Sequence, residues 1–261
     1  MPVPSTAQTH SQNIGFNRYP GLPRALLDDR LLKDDKTTEN ELKNLFRGKW
    51  IISAGLNPSF DTFDCQVHEF YAPKEGGQSG KVVADATFSY RVQVDGDKFI
   101  TKIGPKKLAL VKDEPVGERR SNENELLFER GKKWGIDSFS VGDERRDKQH
   151  TDGYRLILTL RPNAMDYKDE WSVLSYSNDK THGFIVLAYQ GTNAAWEGYG
   201  GLNIYTRSPI TIQSLIDAEQ RTDYTFGRVM AQGIKSGLDK VGLSLTDLMQ
   251  VDNSCDEDKG R

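Results

Sequence analysis

The sequence predicts a mainly β protein, a sandwich or closed barrel with helices at both ends. Three observations carry this. Short runs rich in β-branched and aromatic residues recur at meander-like intervals between positions 49 and 207. Turn residues separate them, with Asp95-Gly96 as a hairpin signal and Asn57-Pro58, Arg161-Pro162-Asn163 and Ser177-Asn178-Asp179 as punctuation. Apolar spacing of helical period flanks that stretch on both sides.

Taken in order, residues 1–37 read as an irregular leader with Pro2, Pro4, Pro20 and Pro23, and Met1–Gln12 shows no targeting signal. Thr38-Glu39-Asn40-Glu41 forms a capping box that opens a short helix, whose apolar side is Leu42, Leu45 and Phe46 and which ends at Gly48. Strands are expected over Lys49–Gly55, Cys65–Ala72, Val82–Val94, Phe99–Ile103, Leu108–Val111, Tyr154–Leu160, Trp171–Tyr176, Gly183–Gln190 and Leu202–Arg207. Residues 102–152 interrupt them. That insertion is dense in both signs of charge, which nearly cancel, so it reads as a solvated loop anchored by Leu126-Leu127-Phe128 and Trp134. After Pro209, Thr211–Lys240 fits helix although Gly227, Gly233 and Gly237 weaken it, and Ser244–Met249 reads as a second short helix. The organisation expected is a leader (1–37), a barrel (38–208) and a C-terminal helical extension (209–261).

Several functions are excluded early. The 261 residues carry 35 Lys and Arg against 38 Asp and Glu, a net charge of -3, which does not favour nucleic acid as a partner. No apolar stretch is long enough for a membrane-spanning helix. Two cysteines cannot build a structural zinc site, and no metal is expected. Gly198-Tyr199-Gly200-Gly201 does not open a helix, so it is no phosphate cradle. On count alone Cys65 and Cys255 are either free thiols or one bridge.

Gly48-Lys49-Trp50 at the first strand and Tyr205-Thr206-Arg207 at the last resemble the lipocalin signature, in which a late arginine lies across the tryptophan. Longer matches are more specific. Gly55-x-Asn57-Pro58-x-Phe60-Asp61, Phe63-Asp64-Cys65-Gln66-x-His68-Glu69-Phe70, Tyr167-x-Asp169-x-Trp171, Trp196-x-Gly198-Tyr199-Gly200-Gly201 and Asp252-Asn253-x-Cys255 resemble the lipocalin domain of the violaxanthin de-epoxidase family. The resemblance spans roughly residues 42–256. There are departures: residues 1–37 hold no cysteine, Gln190 stands where the family commonly has arginine, and Ala194 and Glu197 stand where it has aspartate. They point to a de-epoxidase-like or de-epoxidase-related branch without the cysteine-rich N-terminal domain.

The resemblance implies an eight-stranded antiparallel lipocalin-type barrel enclosing one elongated ligand, a violaxanthin-like carotenoid epoxide. It also implies ascorbate as co-substrate and the thylakoid lumen of a plastid as the setting. Alternation puts Asp169 and Trp171 on one strand face, and a carboxyl facing an apolar interior should hold its proton and serve as a general acid. With the family's Tyr167-x-Asp169-x-Trp171 element in place, the resemblance implies Asp169 as the catalytic acid, with Tyr189 as a second donor. Gln66, Tyr167, Trp171 and Tyr205 are expected along the substrate wall. Asp61, Asp64 and His68 are expected as a pH sensor that drives attachment to the thylakoid membrane surface or homodimer formation in acid. A Cys65–Cys255 disulfide is implied because both cysteines lie in matching motifs and the lumen is oxidising. Two other readings share the same barrel: an isomerase that opens the epoxide without reductant, and a non-catalytic protein that binds pigment or a photosystem.

Overall fold

The computed structural model describes residues 28, 30–31, 35–57, 63–73, 81–94, 97–112, 154–160, 167–192, 199–221 and 225–255. Within them the elements are α1 (Asp35–Leu45), β1 (Gly48–Gly55), β2 (Asp64–Tyr71), β3 (Lys81–Val94), β4 (Asp97–Lys112), β5 (Tyr154–Leu160), β6 (Tyr167–Ser177), β7 (Phe184–Thr192), β8 (Tyr199–Thr206), α2 (Ile212–Gln220), α3 (Phe226–Asp239), a 3-10 turn at Leu245–Asp247 and β9 (Met249–Gln250).

Each strand from β2 to β8 pairs antiparallel with the next. β1 joins the two ends of this series. Its Gly48–Ile51 half pairs with β2, and its Ile51–Gly55 half pairs with β8. The short β9 then adds to Ala54–Gly55. This is a lipocalin barrel of eight antiparallel strands with flanking helices.

The pleat sorts the apolar residues into two cores. Trp50 and Ile52, Phe70, Ala86 and Phe88, Leu108, Trp171 and Val173, Ile185, Leu187 and Tyr189, and Tyr205 form the inner one. Phe184, Val186 and Ala188, with Leu202 and Ile204, point the other way and bury against Leu215 of α2 and Met230, Ala231, Ile234 and Leu238 of α3. Successive side chains of β7 thus serve opposite cores, as period-two geometry requires. A register shift between Ile52 and Ala54 turns Ala54 to the outer core.

The barrel floor is built from α1 and the start of β1. Leu42, Leu45 and Phe46 are fully buried, with the Phe46 ring 5.2 Å from Phe70 and 5.9 Å from Trp171. Trp50 donates its indole N–H to the Leu45 carbonyl at 3.1 Å, and the Arg207 guanidinium lies 3.4 Å above the indole ring. Arg207 also donates to the Arg47 and Lys49 carbonyls, each at 2.9 Å. The cation thereby closes the seam where first and last strands meet, on an aromatic face already removed from water.

Four sequence expectations change in detail. The first helix starts at Asp35, so Thr38 is not its cap; the buried Thr38 hydroxyl donates instead to the Leu31 carbonyl at 2.5 Å. The two strands expected at Phe99–Ile103 and Leu108–Val111 are one, β4. Gly104-Pro105 is absorbed as an extra residue opposite β3 where the register shifts between Ala86 and Phe88. The single helix expected over Thr211–Lys240 is two, each begun by a threonine hydroxyl that accepts a backbone N–H: Thr211 from Ser214, and Thr225 from Arg228. The short helix expected at Ser244–Met249 is a single 3-10 turn followed by β9. The anchors Leu126–Phe128 and Trp134 lie outside the described residues.

Glycine has a packing purpose in α3. A Cβ at Gly233 would overlap the Phe184 ring, and one at Gly237 would overlap Ser175 Oγ and crowd Val186. The helix can lie against β6 and β7 only because those positions are bare. Gly237→Ala is therefore expected to destabilise the fold by about 1–3 kcal/mol despite alanine's better helix propensity, read by urea unfolding.

The C-terminal tail is held to the barrel covalently and by hydrogen bonds. Cys65 and Cys255 are joined as a disulfide with their Cα atoms 5.9 Å apart. The Cys65 N–H donates to the Asp252 carbonyl at 2.7 Å, and the Asn253 amide to the Ile52 carbonyl at 2.9 Å. Cys65 has φ +57°, a left-handed conformation set where β2 and β3 shift register between Asp64 and Val67.

Candidate active site

Inside the barrel, polar groups gather on aromatic walls. β6 places Asp169 and Trp171 on the inner face, each only 2% exposed. Trp171 stands in register with Tyr189 of β7, which in turn stands opposite Gly201 of β8. The Tyr189 phenol lies where a Cβ at Gly201 would be, so the bare glycine gives it room. Asn57 supports the same corner by donating to the Gly200 carbonyl at 3.0 Å. The glycine-rich run of β8 is thus a recess for a tyrosine.

β2 contributes Gln66 and His68, both buried and on one face, as alternation requires. The His68 imidazole stacks on Phe88 of β3 with centroids 3.3 Å apart and planes within 1°. Its Nδ1 shares a hydrogen bond with the Tyr205 hydroxyl at 3.0 Å. Phe88 lies 6.1 Å from Trp171 in a near-parallel arrangement, and Tyr205 lies 6.4 Å from Trp171.

One inner residue was not anticipated. Lys106 of β4 is 2% exposed, and its Nζ lies 3.9 Å above the Phe88 ring centroid. Loss of water pushes its pKa down to about 8, while the Asp169 charge nearby works to raise it. Lys106 falls in the segment expected to be a solvated loop. Its alternation with Leu108 after Gly104-Pro105 was the available signal, and the surrounding charges obscured it.

The expected residues do not all meet. Asp169, Tyr189, Trp171, Tyr205, Gln66 and His68 share the inner face. Tyr167 opens β6 in register with Leu160, and its side chain lies outside the described residues, as does Asp61. Asp64 is at the start of β2, paired with Arg91 at 3.0 Å, and not with His68. The near-neutral switch expected of His68 does not fit its setting. Burial, and after it the positive Lys106, push the imidazole's pKa well below its ordinary value. Among the described residues no cluster of His, Cys, Asp and Glu could hold a metal.

A surface hollow of about 300 Å³ lies between α1 and β6, lined by Thr37, Asn40, Glu41, Asn44, Tyr176 and Asn178. It is at the other end of β6 from Asp169, and Tyr176 is engaged there with Glu41 at 2.9 Å. The chemistry-bearing side chains are in the barrel.

A family model described as the VDE lipocalin domain matches residues 28–253. The chain belongs to the violaxanthin de-epoxidase lipocalin family. Among curated relatives, chloroplastic violaxanthin de-epoxidase of Arabidopsis thaliana is 28% identical over 192 residues, which cover 73% of this chain and 32% of the relative. The Nicotiana tabacum enzyme is 27% identical over 211 residues, covering 80% of this chain and 31% of the relative. The match thus spans about a third of the length of these relatives. Similar solved structures include apocrustacyanin C2, with TM-score 0.41 and 11% identity over 84% of this chain and 87% of that one. Insecticyanin of Manduca sexta has TM-score 0.39 and 12% identity over 90% of this chain and 87% of that one.

Proposed function

We propose that this de-epoxidase-family barrel binds a carotenoid epoxide and opens its ring by general acid catalysis, with Asp169 as the acid. The observation that carries the reading is the burial of Asp169, within Tyr167-x-Asp169-x-Trp171, among apolar and aromatic side chains in a family of violaxanthin de-epoxidases. A polyene needs an apolar, aromatic wall, and an epoxide oxygen leaves readily only when a proton reaches it.

In this reading the Asp169 carboxyl gives its proton to the epoxide oxygen as the C–O bond breaks, leaving a carboxylate and an allylic cation. Ascorbic acid then gives up two electrons and two protons and becomes dehydroascorbate; one proton completes the leaving water and the other restores the Asp169 carboxyl. The oxygen leaves as water, and the conjugated chain gains a double bond. Tyr189 donates a second hydrogen bond near the same centre, with Gln66, Tyr167, Trp171 and Tyr205 along the wall. Tyr189→Phe removes one donor from a site that keeps its acid, so turnover should fall by about tenfold, less than for Asp169 replacement, in the pigment assay described next.

The setting proposed is the plastid, as for the chloroplastic relatives, and within it the acidified thylakoid lumen. Acid-driven membrane attachment or homodimer formation belongs to the same reading. The test is incubation with violaxanthin in acid, with and without ascorbate, followed by pigment chromatography. De-epoxidised product that requires ascorbate supports the proposal. An allenic product formed without ascorbate favours the isomerase. Bound but unchanged pigment favours the binder.

A further inference from the structure

The buried lysine has no part in that reading, and its position calls for one. Placing a cation in a barrel interior is costly, and an apolar residue of similar length would fit beside Phe88 and Leu108 without that cost. Lys106 nevertheless sits 3.9 Å above the Phe88 ring centroid, and the register through β5, where Leu158 pairs with both Leu108 and Asp169, sets it on the same buried interior two strands from Asp169. The titratable groups of the described residues on this inner surface include His68 of β2, Asp169 and Tyr176 of β6, Tyr189 of β7 and Tyr205 of β8. Of these, Asp169 is the acid; the His68 pKa is pushed well down by burial and, after it, by the lysine itself.

We propose that Lys106 is a positioning residue for Asp169, an ammonium fixed on the Phe88 face to hold the negative charge that Asp169 acquires when it gives up its proton. This rests on Asp169 being the acid. When the epoxide takes the proton, the carboxyl becomes a carboxylate in a water-poor site, where an unpaired charge is expensive. Lys106 is positive before and after that step and transfers no proton; its part is to make the carboxylate tolerable. The cation–π contact with Phe88 orients the ammonium and replaces part of its lost hydration. The same cation sets the acid range of the enzyme. By favouring the carboxylate it lowers the pH at which Asp169 is protonated, so activity rises only in acid.

The experiment compares unmodified protein with Lys106→Met and Lys106→Arg. Methionine keeps the length and the apolar stem, so the barrel should fold; circular dichroism and carotenoid binding check this. In Lys106→Met the alkaline limb of the pH–rate profile should move up by about one pH unit or more, and kcat should fall about tenfold with KM unchanged. Lys106→Arg should restore the limb toward its original place, because the charge returns. A merely structural lysine would move stability or KM and leave the limb where it was.

A readout independent of turnover separates this inference from the function it rests on. Carboxyl 13C NMR, with Asp169 assigned by loss of its signal in Asp169→Asn, reports the protonation of that side chain directly. Its titration midpoint should rise in Lys106→Met by the same unit or more and return in Lys106→Arg. A rise in midpoint without turnover in any variant supports the pairing and overturns the de-epoxidase reading. An unmoved midpoint, or a pH–rate profile identical to that of unmodified protein, overturns the inference even if Asp169 proves to be the acid.

Discussion

Asp169→Asn should abolish turnover of a carotenoid epoxide while leaving its binding intact. Asparagine keeps the shape and the hydrogen-bonding reach of the side chain on β6 but has no proton to deliver. Loss of a placed general acid costs about 10²–10⁴ in rate, a larger effect than any other single replacement in the barrel. The position is 2% exposed, so water cannot readily substitute as the donor. Rates come from pigment chromatography, and binding comes from the visible spectrum of the bound polyene. Residual activity above a tenth of the original would show that the acid lies elsewhere.

Reduction of the Cys65–Cys255 disulfide should produce the largest loss of stability. The bridge links residues 190 apart in sequence. Chain entropy then assigns it about 5 kcal/mol, and less where the reduced chain keeps residual structure. Cys255→Ser should therefore shift the urea midpoint strongly, and adding reductant to that variant should shift it no further. The loss should begin locally. Without the bridge, β9 and the Asp252 and Asn253 contacts to β2 and β1 are left to a few backbone hydrogen bonds. Hydrogen exchange at Val251 and Cys65, both donors in that seam, should accelerate before exchange in β7 does.

Much of the barrel was legible in the residues because its pattern is local. Alternation along β7 assigns Tyr189 to one face and Ala188 to the other, and the two cores divide them so. Gly48-Lys49-Trp50 with Arg207 was legible because one aromatic and one cation make the whole contact. What was not legible depends on partners distant in sequence. Thr38 was read as a cap from its neighbours, but its hydroxyl is claimed by the Leu31 carbonyl. Gly104-Pro105 breaks a strand by local rule, yet the continuous β3 opposite absorbs it as an irregularity in register. Gly233 and Gly237 weaken helix by propensity, and only the nearness of Phe184 and Ser175 gives them a purpose.

The candidate site was legible in the same uneven way. Asp169, Trp171, Tyr189 and Tyr205 lie at positions the period of two turns inward, so their gathering follows from strand geometry. Lys106 was hidden because a lysine beside other lysines looks solvated, and burial depends on which strand it joins. Pairing of β4 with both β3 and β5 carries Lys106 inside while its neighbour Lys107 stays exposed. His68 lies on the inner face as alternation implied, but its expected titration did not follow, because burial first, and that same lysine second, push its pKa well down.

In the proposed reaction the epoxide opens inside the barrel, at the side chain of residue 169. A crystal structure of Asp169→Asn protein with bound epoxide carotenoid tests it most directly, since that variant should bind the pigment without consuming it. The epoxide oxygen is expected within hydrogen-bonding distance, about 3 Å, of the side chain at position 169, with the polyene running along Trp171 and Phe88. Pigment bound outside the barrel, or inside it with the epoxide ring away from that side chain, would overturn Asp169 as the acid.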